Sequence, residues 1–297
     1  MASIANQLPE TQQAAKRPVP WVAIAWFFAL LILAYFSILQ HLVGQWSTDE
    51  DVNHGFLVPV VALWIAWQRK EQILALDLKP NWWGVAIMGW GLMQGYLGML
   101  SAELFLQRTS FLISLLGLLF LIGGKPLVRA LLFPLCLLPF MIPIPAIVYT
   151  QITFPLQLFA SSVAETVLGW INIPVYRDGN ILELASQKLD VAEACSGIRS
   201  LLSLTFLSLV YAYFFDKKVW MRWALFIGGI PLCILANAAR VTITGMLSEV
   251  DVKLAQGFFH EVEGYVIFIA DLVMLVALHW LINKFYDWKQ RRSAAVA

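Results

Sequence analysis

The sequence predicts an all-α integral membrane protein: a single polytopic membrane domain over residues 1–297, with about eight transmembrane helices and a small extracytoplasmic hairpin before the sixth. Three observations lead there. Hydrophobic residues make up 60% of the chain and charged ones 13%, where a soluble domain is roughly a quarter charged. Apolar runs recur along almost the whole length, many near the roughly 18–20 residues a helix needs to cross about 30 Å of hydrocarbon. Lys and Arg gather in alternate connections between those runs, as they do in cytoplasmic loops. A transmembrane β-barrel would need short strands of alternating polarity, whereas these runs are continuous. The net charge of +1, with no basic stripe interleaved with aromatics, argues against a nucleic-acid partner. The partner that the composition requires is the lipid bilayer.

In chain order, residues 1–20 are polar and precede an apolar run too long for a cleavable signal core, so they read as a cytosolic tail. The expected spans are 21–43, 55–67, 83–100, 110–122, 127–149, 198–215, 219–247 and 262–285, with a second cytosolic tail over 286–297. The second and fourth are short, which suggests a tilted bundle or a thinned rim. Gly91 and Gly95 in the third form a small-xxx-small pair that lets helices approach closely. Pro134, Pro139, Pro143 and Pro145 should kink or end the fifth, because proline lacks the backbone donor and clashes with the preceding turn. With the N-terminus inside, the inner connections hold fourteen of the twenty basic residues. The outer stretches "STDEDVN", "RDGNILELASQKLDVAEA" and "SEVDVK" are rich in acids. Both termini are then cytoplasmic.

Residues 150–195 form the expected extracytoplasmic connection. Its first part, 154–173, carries Gln157, Ser161, Ser162, Glu165 and Thr166, so it reads as an amphipathic helix lying at the interface. A ninth crossing there would put three basic clusters outside. The turn signal Asp178-Gly179-Asn180 between β-prone runs then predicts the hairpin.

The stretch "VAEACSGIRSL" places Cys195 at the outer end of the sixth span, followed by Ser196 and Gly197. A thiol at a helix N-terminus feels the positive end of the macrodipole, which favours thiolate. Arg199, four residues on, acts in the same direction, while Asp190 and Glu193 oppose it. The plainer alternative is a small buried cysteine of no reactivity. Arg240 lies inside an otherwise apolar span, in "ILANAARVTITGML", where a charge costs about 2.5–3.5 kcal/mol on insertion scales. Helical spacing puts Asn237, Arg240 and Thr244 on one face. Snorkelling to the outer interface, or a structural pair with Asp271 or Glu165, would also account for it. His260, in "FFHEVEGYVIF", begins the last span and can exchange a proton near neutral pH. Cysteine as nucleophile, histidine as proton carrier and arginine as anion clamp form a complete set for acyl transfer, here carried by three helices on one leaflet. His54, in "VNHGFLVP", could line the same cavity or serve as a cap; His41 and His279 are assigned to packing or hydrogen bonding. Cys136 and Cys233 lie in apolar runs, so a disulfide framework is not expected. No pair of ligands at metal spacing occurs on one helix, and neither a metal nor a cofactor is expected.

The ordered motifs "VAEACSGIRSL", "NAARV" and "HEVEG", with "NHGFLVP" upstream, resemble the exosortase and archaeosortase family of membrane-embedded cysteine transpeptidases. The resemblance covers the chain from about Asn53 to the last span. It implies Cys195 as nucleophile, Arg240 as stabiliser of the oxyanion or substrate, and His260 as general acid and base, with Arg199, Asn237, Ser196, Gly197 and His54 in support. It also implies secreted protein substrates that end in a Pro-Glu-Pro-like motif (PEP-CTERM-like), a transmembrane helix and a basic cluster. Their cleaved ends would pass through a thioester to an unidentified envelope acceptor, at the periplasmic face of the inner membrane of an exopolysaccharide-making bacterium. The residues leave two other classes open: a transporter using Arg240 for anions and His260 for protons, and a membrane protein of exopolysaccharide assembly without catalysis.

Overall fold

The computed structural model describes residues 21–191, 197–216, 218–255 and 257–296, with backbone alone at some helical positions, among them 197–201, 257–261 and 263. The expected all-α membrane architecture is what forms. The helices are α1 (Trp21–Ala34), α2 (Phe36–Thr48), α3 (Leu57–Gln68), α4 (Lys70–Leu74), α5 (Trp83–Leu100), α6 (Leu104–Ala130), α7 (Leu132–Leu137), α8 (Ala146–Trp170), α9 (Gly197–Phe215), α10 (Val219–Val250) and α11 (Gly257–Val296). Three antiparallel strands, β1 (Val175–Asp178), β2 (Ile181–Leu184) and β3 (Lys188–Asp190), lie between α8 and α9.

The expected count of eight spans is not reproduced. Among the described residues, three helical stretches are long and apolar enough to cross a bilayer: Leu104–Ala130, Val219–Val250 and Gly264–Arg292. Two bent pairs bring the number to at most five: Val22–Ala34 with Phe36–Thr48 at 67°, and Leu132–Met141 with Ala146–Trp170 at 86°. The reason is local. The second expected span is only the 12-residue α3, about 18 Å of helix at 1.5 Å per residue. The fourth extends in both directions into α6, which breaks at Gly124, whose φ of +66° and ψ of −157° are open to glycine alone. A β-carbon there would also collide with the carbonyl oxygen of Lys79.

The fifth expected span ends where its prolines lie. A 3-10 turn, Leu138–Met141, gives way to extended backbone at Ile142, and α8 begins after Pro145. The amphipathic segment expected over 154–173 is therefore part of one 25-residue helix starting at Ala146, with Pro155 inside it. The last helix likewise runs past Phe285 to Val296, without a break before the expected tail.

Close packing follows the small residues. Gly84, Gly91, Gly95 and Gly98 of α5 are buried against α6. A β-carbon on Gly95 would stand 2.7 Å from Ser110 Oγ, and one on Gly91 would meet Ser114 Oγ. Removing the side chain lets the two backbones touch. One apolar cluster joins α1, α2, α3, α6, α7 and α9 through Leu31, Leu42, Val58, Leu118, Leu137 and Phe206. A second joins α8, the sheet and α10 through Ala164, Leu168, Leu182, Leu189, Val191, Ala238 and Val241.

Candidate active site

Arg240 lies ten residues from the end of α10 and is 8% exposed, with Asn237 also buried and Thr244 fully so. The polar face expected from their spacing points inward. Thr244 Oγ1 donates to the carbonyl of Arg240 at 3.0 Å, and Thr242 Oγ1 to that of Ala238 at 2.9 Å. Both hydroxyls are thus satisfied within the helix and carry no desolvation cost into the bundle. Ala238 and Val241, on either side of Arg240, pack with α8 and the sheet.

The guanidinium reaches α11. A β-carbon on Gly264 would stand 3.3 Å from Arg240 Nη2 and 3.6 Å from Cζ. A larger residue at 264 would press on the planar group, which would have to give by a few tenths of an ångström. α10 and α11 form an antiparallel hairpin around the 3-10 turn Val252–Ala255. Its register runs from Arg240 against Gly264, through Cys233 and Asp271 as electrostatic neighbours, to Gly228 against Leu278.

Neither acid expected as a structural partner for Arg240 plays that part. Glu165 Oε2 accepts from Arg177 Nε at 2.7 Å, tying α8 to β1. Asp271, 1% exposed, makes no hydrogen bond among the described residues.

Cys195 and Ser196 lie outside the described residues. For Gly197 and Arg199 only the helical backbone of α9 is described, and for His260 only that of α11. The chain on the near side of Cys195 is well anchored. Tyr176 pairs with Glu183 and Leu182 with Leu189 in the sheet, and Val191, fully buried, follows β3 into the cluster that holds Ala238 and Val241. Asp178-Gly179-Asn180 forms the expected turn, with Gly179 at φ +63°. Asn180 Nδ2 donates to Asp190 Oδ1 at 3.4 Å and Gln157 Oε1 at 3.3 Å. A third strand, not expected from the sequence, pairs with β2, while β1 and β2 lie against α8.

His54 has a positional role. It sits in the 3-10 helix Glu50–Phe56, 7% exposed, with Nε2 3.1 Å from the carbonyl of Phe140. Since a carbonyl only accepts, Nε2 carries the proton and Nδ1 is a buried lone pair without a hydrogen bond among the described residues. Burial lowers the imidazole pKa, only partly opposed by the bond to Phe140. Beside it, Gly55 leaves room for the indole of Trp46, whose Nε1 donates to the Met141 carbonyl at 2.9 Å. The "NHGF" stretch thus docks onto the carbonyls just before the proline break. His279 bridges α9 and α11: Tyr211 Oη is 2.9 Å from Nδ1, and Nε2 is 3.2 Å from Asp216 Oδ2.

Arg108 and Tyr149 are two further residues that hydropathy and motif spacing do not single out. Arg108 is 6% exposed near the start of α6 and lines a pocket of about 540 Å³ with Tyr149, Asp51 and Glu103. The signal available was a lone arginine in "LFLQRTSFLISLL", masked when the helix is started at Ser110 rather than Leu104. Among the described residues, no group of three or more His, Cys, Asp or Glu could hold a metal ion.

No curated protein and no solved structure matches the chain. The sequence profile of the transmembrane exosortase family (Exosortase_EpsH) does match, over residues 46–277, a stretch that takes in "NHGF", "ACSGIRS", "NAARV" and "HEVEG". With its apolar helices and this match over most of its length, the chain belongs to the transmembrane exosortase family.

Proposed function

We propose that this protein is an intramembrane cysteine transpeptidase. It would cleave C-terminal PEP-CTERM-like sorting signals of secreted proteins at the periplasmic face of the inner membrane and pass them to an envelope acceptor. The observation that carries this is the contact of the buried Arg240 guanidinium with Gly264. His260 lies four residues before Gly264 in the same helix, about 6 Å along its axis. Continuing the register by one turn brings residue 260 toward Thr244. Cys195 follows Val191 by four residues, a tether of at most about 14 Å, and Val191 shares a buried cluster with the neighbours of Arg240. Family membership supports the same reading.

In the first step the Cys195 thiolate attacks the scissile carbonyl and Arg240 offsets the negative charge developing on its oxygen. The C–N bond breaks as His260 protonates the leaving amine, leaving a thioester. In the second, His260 takes the proton of the acceptor nucleophile, which attacks the thioester and releases the thiolate. An arginine is suited to this because it keeps its charge when buried and offers several N–H donors in one plane. Both termini would be cytoplasmic.

The test is to coexpress the protein with a secreted reporter ending in the motif, an apolar helix and a basic cluster. Wild type should shorten the reporter, and Cys195→Ala should leave it uncut in the membrane. Equal shortening by the alanine variant would overturn the reading.

A further inference from the structure

The pocket beside Arg108 holds one cation that no described group pairs with. It lies where the 3-10 helix Glu50–Phe56, the start of α6, the proline break and α9 meet, and α9 contributes Leu202, seven residues along the chain from Cys195. Its acids are already engaged. Asp49 accepts from the Asp51 backbone N–H at 3.0 Å and from Gln45 Nε2 at 3.3 Å. Asp51 Oδ2 accepts from Tyr149 Oη at 3.1 Å. Glu103 caps α6, its Oε2 accepting from the N–H groups of Phe105 at 2.9 Å and Leu106 at 3.4 Å. Arg108, though 6% exposed, makes no hydrogen bond or ion pair among the described residues; Glu103 acts on it only through space. Its guanidinium belongs to the pocket lining, so its N–H donors are free to meet a group that enters there.

We propose that Arg108 binds the side-chain carboxylate of an acidic residue in the extended peptide substrate. This deepens the transpeptidase reading and rests on it for the identity of the peptide. A planar guanidinium matches a carboxylate through two parallel N–H donors. Asp49, Asp51 and Glu103 also line the pocket; their charges repel a singly charged carboxylate less than a doubly charged phosphate, so of the two the carboxylate is the better fit. Pro143, Pro145, Phe105 and Leu202 supply apolar walls for the flanking residues. A volume of about 540 Å³ is in the range of a small-molecule site, about 300–1,000 Å³, and accommodates a few residues.

The test is binding to the purified full-length protein in detergent, apart from turnover, with acetyl-Ala-Glu-Ala-amide against acetyl-Ala-Gln-Ala-amide. The glutamate peptide should bind about tenfold or more tightly than the glutamine one. Arg108→Gln should abolish that difference, Arg108→Lys keep part of it, and Cys195→Ala leave it intact. Equal binding of the two peptides to wild type, or displacement of the glutamate peptide by equimolar inorganic phosphate, would overturn the proposal. The wild-type comparison decides even if Arg108→Gln does not fold. Reporter cleavage without a glutamate preference would defeat only the Arg108 assignment; a glutamate preference abolished by Arg108→Gln, without Cys195-dependent cleavage, would defeat only the transpeptidase.

Discussion

Arg240 on α10 packs close beside Gly264 on α11: a β-carbon on Gly264 would stand 3.3 Å from Arg240 Nη2. The hydrogen side chain of one residue therefore lets the guanidinium of the other lie there without being displaced.

Enlarging Gly264 should act on activity before stability. In Gly264→Val, the guanidinium has to move by a fraction of an ångström to an ångström, and rate losses on the order of 10- to 100-fold follow displacements of that size. Reporter cleavage should fall by about that factor, while the melting temperature changes little. A fully active Gly264→Val would remove the contact from the mechanism.

His54 should make the fold sensitive to acid. Its folded pKa is lowered from 6.5 by burial, so the unfolded chain takes up the proton first. Its contribution is fully present above about pH 6.5 and is lost as the pH falls toward the folded value. The melting temperature should therefore drop between pH 7.5 and 5.5, and His54→Gln should flatten that drop even if it lowers stability at pH 7.5 through the lost bond to Phe140.

The Tyr211–His279–Asp216 chain should matter to stability without taking part in the chemistry. The Lys218 backbone N–H, 2.7 Å from Asp216 Oδ1, and His279 outweigh the burial of Asp216 and hold its carboxyl below the ordinary range. Its contribution is thus present above the unfolded value near 3.8 and lost as pH falls below it. Asp216→Asn should destabilise by about 1–3 kcal/mol, visible in thermal unfolding at pH 7. Cleavage per folded molecule should be unchanged.

Gly124→Ala should unfold the α5–α6 region preferentially. The strained φ and ψ cost about 1–3 kcal/mol for any other residue, and the collision with the Lys79 carbonyl adds to it. Hydrogen exchange over α5 and α6 should rise relative to α10.

The polar face of α10 was legible because its chemistry is local. An arginine in an apolar run is anomalous wherever the run folds, and the 3.6-residue period sufficed to put Asn237, Arg240 and Thr244 on one face. The Asp178-Gly179-Asn180 turn was legible for the same reason, since a positive φ is a property of one residue. The third strand was not, because Lys188–Asp190 is too short to show alternation and forms only by pairing with Ile181–Leu184.

Hydropathy and residue identity, which do not depend on what lies nearby, suffice to make this a helical membrane protein and to give the motifs that tie it to its family. How many apolar runs become long helices, where α8 begins, that Arg240 lies beside Gly264, and that Arg108 is buried without a hydrogen bond or ion pair among the described residues come from packing. Each of these depends on contacts between segments distant in the chain. Gly124 breaks α6 under the Lys79 carbonyl, α11 returns alongside α10, and the acids around Arg108 are taken up by Tyr149, Gln45 and backbone N–H groups.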